Sequence, residues 1–200
     1  MFDSGIKAKD LIDQIRDEAD IAYPISDESF IIWLNALEQL LYTELIREQN
    51  EVSVSIGDIP VVNLSLISHS SGENTMRFED IHAVYAGETQ LILSTVASES
   101  IFPNTYYKIG NNIGLNVKDG VSSVLIVYFV KPKLKTADNI STTNVMLPVE
   151  FIDLAKAKLR GEAYKLANED GLAAKWINDY NTLLEVFKTW LSGKAPQFGL

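Results

Sequence analysis

Only two histidines stand in the chain, His69 and His82. Beside a serine and a carboxylate, either could support nucleophilic hydrolysis, because imidazole exchanges a proton near neutral pH. His69 sits in Ser68-His69-Ser70-Ser71, and His82 falls in a strand-like run. No G-x-S-x-G elbow or comparable frame surrounds them. Two isolated histidines also lack the H-x-x-x-H spacing that holds a metal. Carboxylates pair at Asp10/Asp13, Asp17/Asp20 and Glu169/Asp170. Acid–base chemistry needs one member buried with a raised pKa, whereas these fall on polar helix faces or helix ends, where solvation explains them. Gly110-Asn111-Asn112-Ile113-Gly114 has the glycines of a phosphate loop. It lacks the Lys-Ser/Thr that would meet phosphate and leads into no helix, so it reads as a turn. Lys131, Lys133 and Lys135 cluster without an aromatic platform, which argues against specific nucleic-acid readout. The residues point to no enzyme, no metal and no cofactor.

Composition narrows the remaining classes. The 200 residues suffice for one good core or two small ones, and a 46% hydrophobic fraction suits a folded chain. The longest apolar runs, such as Val124–Val130, are far too short to span a bilayer. Met1-Phe2-Asp3-Ser4-Gly5 has no basic n-region leading into an apolar stretch, so no signal peptide is expected. Absence of cysteine removes disulfides and thiolate sites and fits synthesis in a reducing cytosol. The net charge of −10 does not attract DNA or acidic lipid; it reads first as a device for solubility and second as a surface that repels nucleic acid passing close by.

The elements that must carry any function follow from periodicity. Leu11, Ile12, Ile15 and Ala19 predict a helix over 8–19. Tyr23-Pro24 ends it, and Ser26 caps a second helix with stripe Phe30, Leu34, Leu37, Leu41 and Leu45, running to about Gln49. From Glu51 the period changes to two. About seven strands follow: Val52–Ile56, Val61–Ile67, Met76–Ala86, Thr89–Ser94, Thr105–Ile109, Ile113–Val117 and Ser122–Val130. No helix lies between them, so short antiparallel hairpins are expected. Lys133–Val145 reads as a polar linker. Pro148 opens a helix with Phe151, Leu154, Ala155, Leu159, Ala163, Leu166 and Ala167 on one face. Gly161 inside it would allow close helix contact. After a break near Asn168–Gly171, a last helix buries Leu172, Trp176, Tyr180, Leu184, Phe187 and Leu191.

The expected fold is α+β. Residues 1–50 and 146–192 would form a four-helix bundle, 51–135 an inserted antiparallel β-rich domain, 136–145 a linker and 193–200 a tail.

This order resembles the phage head-to-tail adaptor proteins of the tail tubular protein A type. Ser29-Phe30-Ile31-Ile32-Trp33-Leu34-Asn35-Ala36-Leu37 is similar to the family's "W-I-N-x-A" helix. Pro103–Leu115 resembles its strand pair, followed by Tyr128-Phe129-Val130-Lys131-Pro132 for Tyr-x-x-x-Pro. Leu147-Pro148-Val149-Glu150-Phe151 matches the "L-P-x-x-F/Y" that opens its C-terminal hairpin. Asp58-Ile59-Pro60-Val61 departs from the usual "L-P-x-D". The resemblance implies a structural virion protein, made in the bacterial host cytoplasm and placed at the head–tail junction. It implies a homo-oligomeric, dodecameric ring below the portal protein, with the free chain possible as a monomer. The ring would extend the DNA channel without specific DNA binding or membrane contact, and dock a downstream tail or nozzle protein. By the same analogy Lys194, Pro196, Gln197, Phe198 and Leu200 form a portal-docking tail. The competing reading is a non-enzymatic β-rich binding module on a helical stalk, gripping through Ser68–Thr75 and Val96–Asn104. A hydrolase built on His69 or His82 is the third.

Overall fold

A computed structural model describes residues 2–18, 24–57, 59–68, 75–94, 103–118 and 120–194. The chain divides into two compact units, one built from 1–46 with 132–200 and the other from 47–131.

In the first unit, α1 (Ala8–Glu18) buries Ala8, Leu11, Ile12 and Ile15, the stripe its spacing demands. Ser26 caps α2 (Asp27–Leu41), its hydroxyl accepting the Ser29 N–H at 3.2 Å. Asp27 and Glu28 occupy the first turn, where the helix dipole favours negative charge. α2 stops eight residues short of Gln49. One π-helical turn, Tyr42–Ile46, carries the buried Tyr42, and Arg47 then takes a left-handed conformation at φ 47° that redirects the chain into the first strand. α3 (Ile152–Leu166) follows a short 3-10 turn over Val149–Phe151. Asn168, at φ 59°, breaks the chain before α4 (Asp170–Lys194), so 148–191 holds two helices.

The expected four-helix bundle with an inserted antiparallel domain is not what forms. α3 is buried around most of its circumference, through Leu154, Ala155, Ala157, Leu159, Gly161, Ala163 and Tyr164. It pairs along its length with α4, while α1 and α2 also pack on it. A bundle member buries one stripe; α3 is a hub. Irregular chain also enters this core. Ile140, Val145 and Leu147, from and beside the stretch read as a linker, are buried among the helices. Gly161 permits the α3–α4 approach, since a Cβ there would lie 3.1 Å from Ile177 Cγ1. On α4 the buried positions are Ala173, Tyr180 and Phe187, seven residues apart, flanked by half-buried Trp176, Leu183, Leu184, Trp190 and Leu191. That narrow seam leaves Leu172 exposed, contrary to the expected stripe.

The second unit is one seven-stranded, nearly barrel-shaped sheet: β1 (Gln49–Ser55), β2 (Val61–Asn63), β3 (Ile81–Ala86), β4 (Thr89–Leu93), β5 (Thr105–Ile109), β6 (Asn112–Asn116) and β7 (Ser123–Phe129), in the order β1-β7-β3-β4-β5-β6-β2. The sheet is mixed rather than antiparallel. β4 and β5 run parallel, Ile92 opposite Thr105 and Leu93 opposite Tyr106, because the connection over 94–104 is long enough to cross over. Two-residue turns close β3–β4 at Gly87-Glu88 and β5–β6 at Gly110-Asn111, with both glycines at positive φ. Inward residues alternate along the strands, Val124, Ile126 and Tyr128 on β7 with Val84, Leu91, Ile113 and Leu115. Short 3-10 turns, Leu64–Leu66 and Phe78–Asp80, replace the ends of two longer expected strands.

On the outer face Tyr107 lies opposite Gly114, and its ring covers the glycine. A Cβ at Gly114 would fall 2.4 Å from Tyr107 Cζ. Gly114→Val therefore displaces the ring and is expected to cost about 1–3 kcal/mol by thermal denaturation, with Tyr107→Ala in the same chain removing most of the clash.

Candidate functional site

The residues that could do chemistry stand apart. His82 projects from β3 at a register shift between Ile81 and Ala83, with its ring 5.1 Å from that of Phe129. No serine or carboxylate is hydrogen-bonded to it among the described contacts. His69 and most of the loops Ser68–Thr75 and Val96–Asn104 lie outside the described residues, as do Asp20 and, in the tail, Pro196, Gln197, Phe198 and Leu200. Lys194 closes α4. Asp13 is taken up by Lys9 and Arg16 on its own helix. Gly110–Gly114 is the β5–β6 hairpin itself. Among the described residues no group of three His, Asp or Glu side chains is placed to hold a metal ion, and no helix is long and apolar enough to cross a membrane.

The basic trio is dispersed. Lys131 Nζ pairs with the buried Asp80 at 2.5 Å, and Asp80 also accepts the Arg77 N–H at 2.8 Å. Lys135 turns inward and is 2% exposed. It meets Glu38, which is 0% exposed, in a direct ion pair.

That ion pair is the polar centre of the helical unit. Asn35 and Glu38, one turn apart on α2, both point at the incoming chain. Asn35 donates from Nδ2 to the Lys135 carbonyl at 2.8 Å and accepts the Lys135 N–H at 2.9 Å. Glu38 Oε2 takes the Lys135 ammonium, and Oε1 accepts the Met146 N–H at 2.8 Å. Lys135 Nζ also reaches the Lys133 carbonyl at 3.3 Å, and the Lys133 N–H points at the Met146 sulfur at 2.9 Å. Two side chains of one helix thus fix both ends of the stretch 133–146. Burial dominates the charge states. Loss of water pushes the Glu38 carboxyl above its ordinary range and the Lys135 ammonium below its own, against the attraction of the pair. The pair is sealed from solvent, so no substrate reaches it. Its chemistry is that of a clamp.

A second polar contact ties α1 to α3 and α4. Glu18 accepts from Gln14 at 2.7 Å and pairs with Arg160, and these bonds hold its carboxyl below the usual range. The Arg160 guanidinium lies 4.6 Å from the Trp176 ring centroid.

Sequence reasoning passed over the clamp. Glu38 held the one available clue: it falls four residues after Leu34 and three before Leu41, on the buried stripe of α2. Nothing separates Lys135 from Lys131 and Lys133 in sequence. No protein-family model matches the chain, and no curated protein matches it in sequence.

Proposed function

We propose that this chain is a structural protein of a phage virion, a head-to-tail adaptor that forms a ring below the portal, extends the DNA channel and receives the tail. One observation carries the reading. Asn35, inside the first motif, and Glu38, just after it, hold chain that lies beside two other motifs far off in sequence. Asn35, from the Trp33-Leu34-Asn35 motif, holds the Lys135 backbone, three residues after Pro132 of Tyr128–Pro132. Met146, the residue before Leu147-Pro148, is held by Glu38. A clamp that joins the flanks of separate motifs supports a common architecture better than their order alone. The net charge of −10 suits a channel through which DNA slides without sticking.

In this reading the portal is met by the tail, Lys194, Pro196, Gln197, Phe198 and Leu200. The chain lacking 194–200 is expected to lose attachment to the portal of its phage in co-sedimentation, while keeping its fold by circular dichroism. Undiminished attachment would remove the tail from the account.

A further inference from the structure

A helix that packs on one side turns the other to water, and that side is normally polar. α2 departs from this. Its outward row at four-residue spacing reads Glu28, Ile32, Ala36, Leu40 and, in the π-helical turn, Glu44. All five are exposed, Ile32 by 64% and Leu40 by 51%. The core stripe of Phe30, Leu34, Leu37 and Leu41 takes the opposite side, and the row has no part in the helical core.

The row has both a shape and a charge pattern. Residues four apart form a ridge on the helix surface, with about 6 Å between successive members. Ala36 makes a dip between two bulky side chains. The apolar centre ends in a carboxylate on each side. Asp27, beside Glu28, is taken up by Arg16, but among the described residues neither Glu28 nor Glu44 has an ion-pair partner. Cations are scarce nearby in sequence, since residues 1–46 hold ten acidic side chains and three basic ones.

We propose that this ridge is the docking site for an amphipathic helix of a partner protein, one whose apolar row is closed at both ends by lysine or arginine. The charge of the occupant follows from Glu28 and Glu44, which favour basic ends and repel acidic ones. Its helical form follows from the spacing. A helix repeats its own four-residue row at the same pitch, so three apolar side chains register with Ile32, Ala36 and Leu40. A large central side chain fills the dip at Ala36. The two carboxylates lie sixteen residues apart, about 24 Å along the helix, which sets the separation of the basic residues. The site does not rest on the adaptor reading, and its test needs neither portal nor ring.

The test uses a synthetic helical peptide with Lys-x-x-x-Leu-x-x-x-Leu-x-x-x-Leu-x-x-x-Lys on one face and alanine and glutamine elsewhere. Its counterpart carries glutamate in place of both lysines. Titrated into the full chain and followed by backbone amide NMR, the lysine peptide is expected to shift the signals of residues 28–44. It should bind about tenfold more tightly than the glutamate peptide, a difference that shrinks with added salt. Ile32→Gln with Leu40→Gln should abolish binding of both peptides. Glu28→Lys with Glu44→Lys should reverse the preference. These positions are exposed, so circular dichroism should stay that of the unaltered chain. No shift in α2 at about 1 mM peptide, equal binding of the two peptides, or a preference that survives the charge reversal would each overturn the proposal. Self-association of the free chain through Ile32 and Leu40 would overturn it too, by giving the ridge to a second copy.

Discussion

Lys135→Met is expected to destabilise the helical unit by about 3–5 kcal/mol at pH 7. The lysine is not worth that much as an attraction. Its removal leaves the Glu38 carboxyl buried and without its counter-ion, so it must hold an unpaired charge or take up a proton, with only the Met146 N–H still bonded to it. The sign of the pH dependence follows. Glu38 already has a raised pKa in the fold, and losing the ammonium raises it further. A carboxyl raised by folding costs stability as pH climbs from its unfolded value, near 4.5, toward the folded one. The deficit of Lys135→Met should therefore be small near pH 4 and grow toward neutrality. Replacing both partners, Glu38→Leu with Lys135→Met, should recover most of the loss, because an apolar pair of similar volume carries no desolvation cost. The readout is tryptophan fluorescence during urea unfolding. Trp33, Trp176 and Trp190 all lie in the helical unit, so the signal follows that unit and is blind to the sheet.

Phe187→Ala is expected to cost the same unit about 3–5 kcal/mol. Phe187 is 0% exposed and ends the buried seam of α4. Its ring lies 4.8 Å from that of Phe151 and 5.9 Å from that of Trp190, and Trp190 in turn meets Phe2. Rings at these separations add to the area they bury. The cavity left by the truncation cannot be filled by α4 alone, since Tyr180 and Ala173 hold the same seam further along. Val186→Ala, on the exposed side of the same helix, should change the urea midpoint little.

The sequence carried those elements whose signal is local. Ser26 followed by the Phe30–Leu34 stripe set the start of α2, and Gly87-Glu88 set a hairpin. Signals that depend on distant chain were not legible. The parallel β4–β5 pair depends on where a crossover lands, and α3 as a hub depends on three helices arriving at it. The early end of α2 is the same kind of fact: Leu45 continues the stripe in sequence, yet the chain leaves the α-helix at Leu41 to bury Tyr42 and turn at Arg47. The clamp was half-visible. A glutamate on an apolar stripe asks for a partner, but that partner lies 97 residues away in a lysine triplet of uniform appearance.

The central claim is assembly on a portal. Mixing the chain with the portal ring of its own phage and imaging the particles by electron microscopy tests it most directly. A second ring stacked coaxially on the portal, absent when the portal is omitted, is the expected result. Portal particles that remain bare at saturating chain would contradict it.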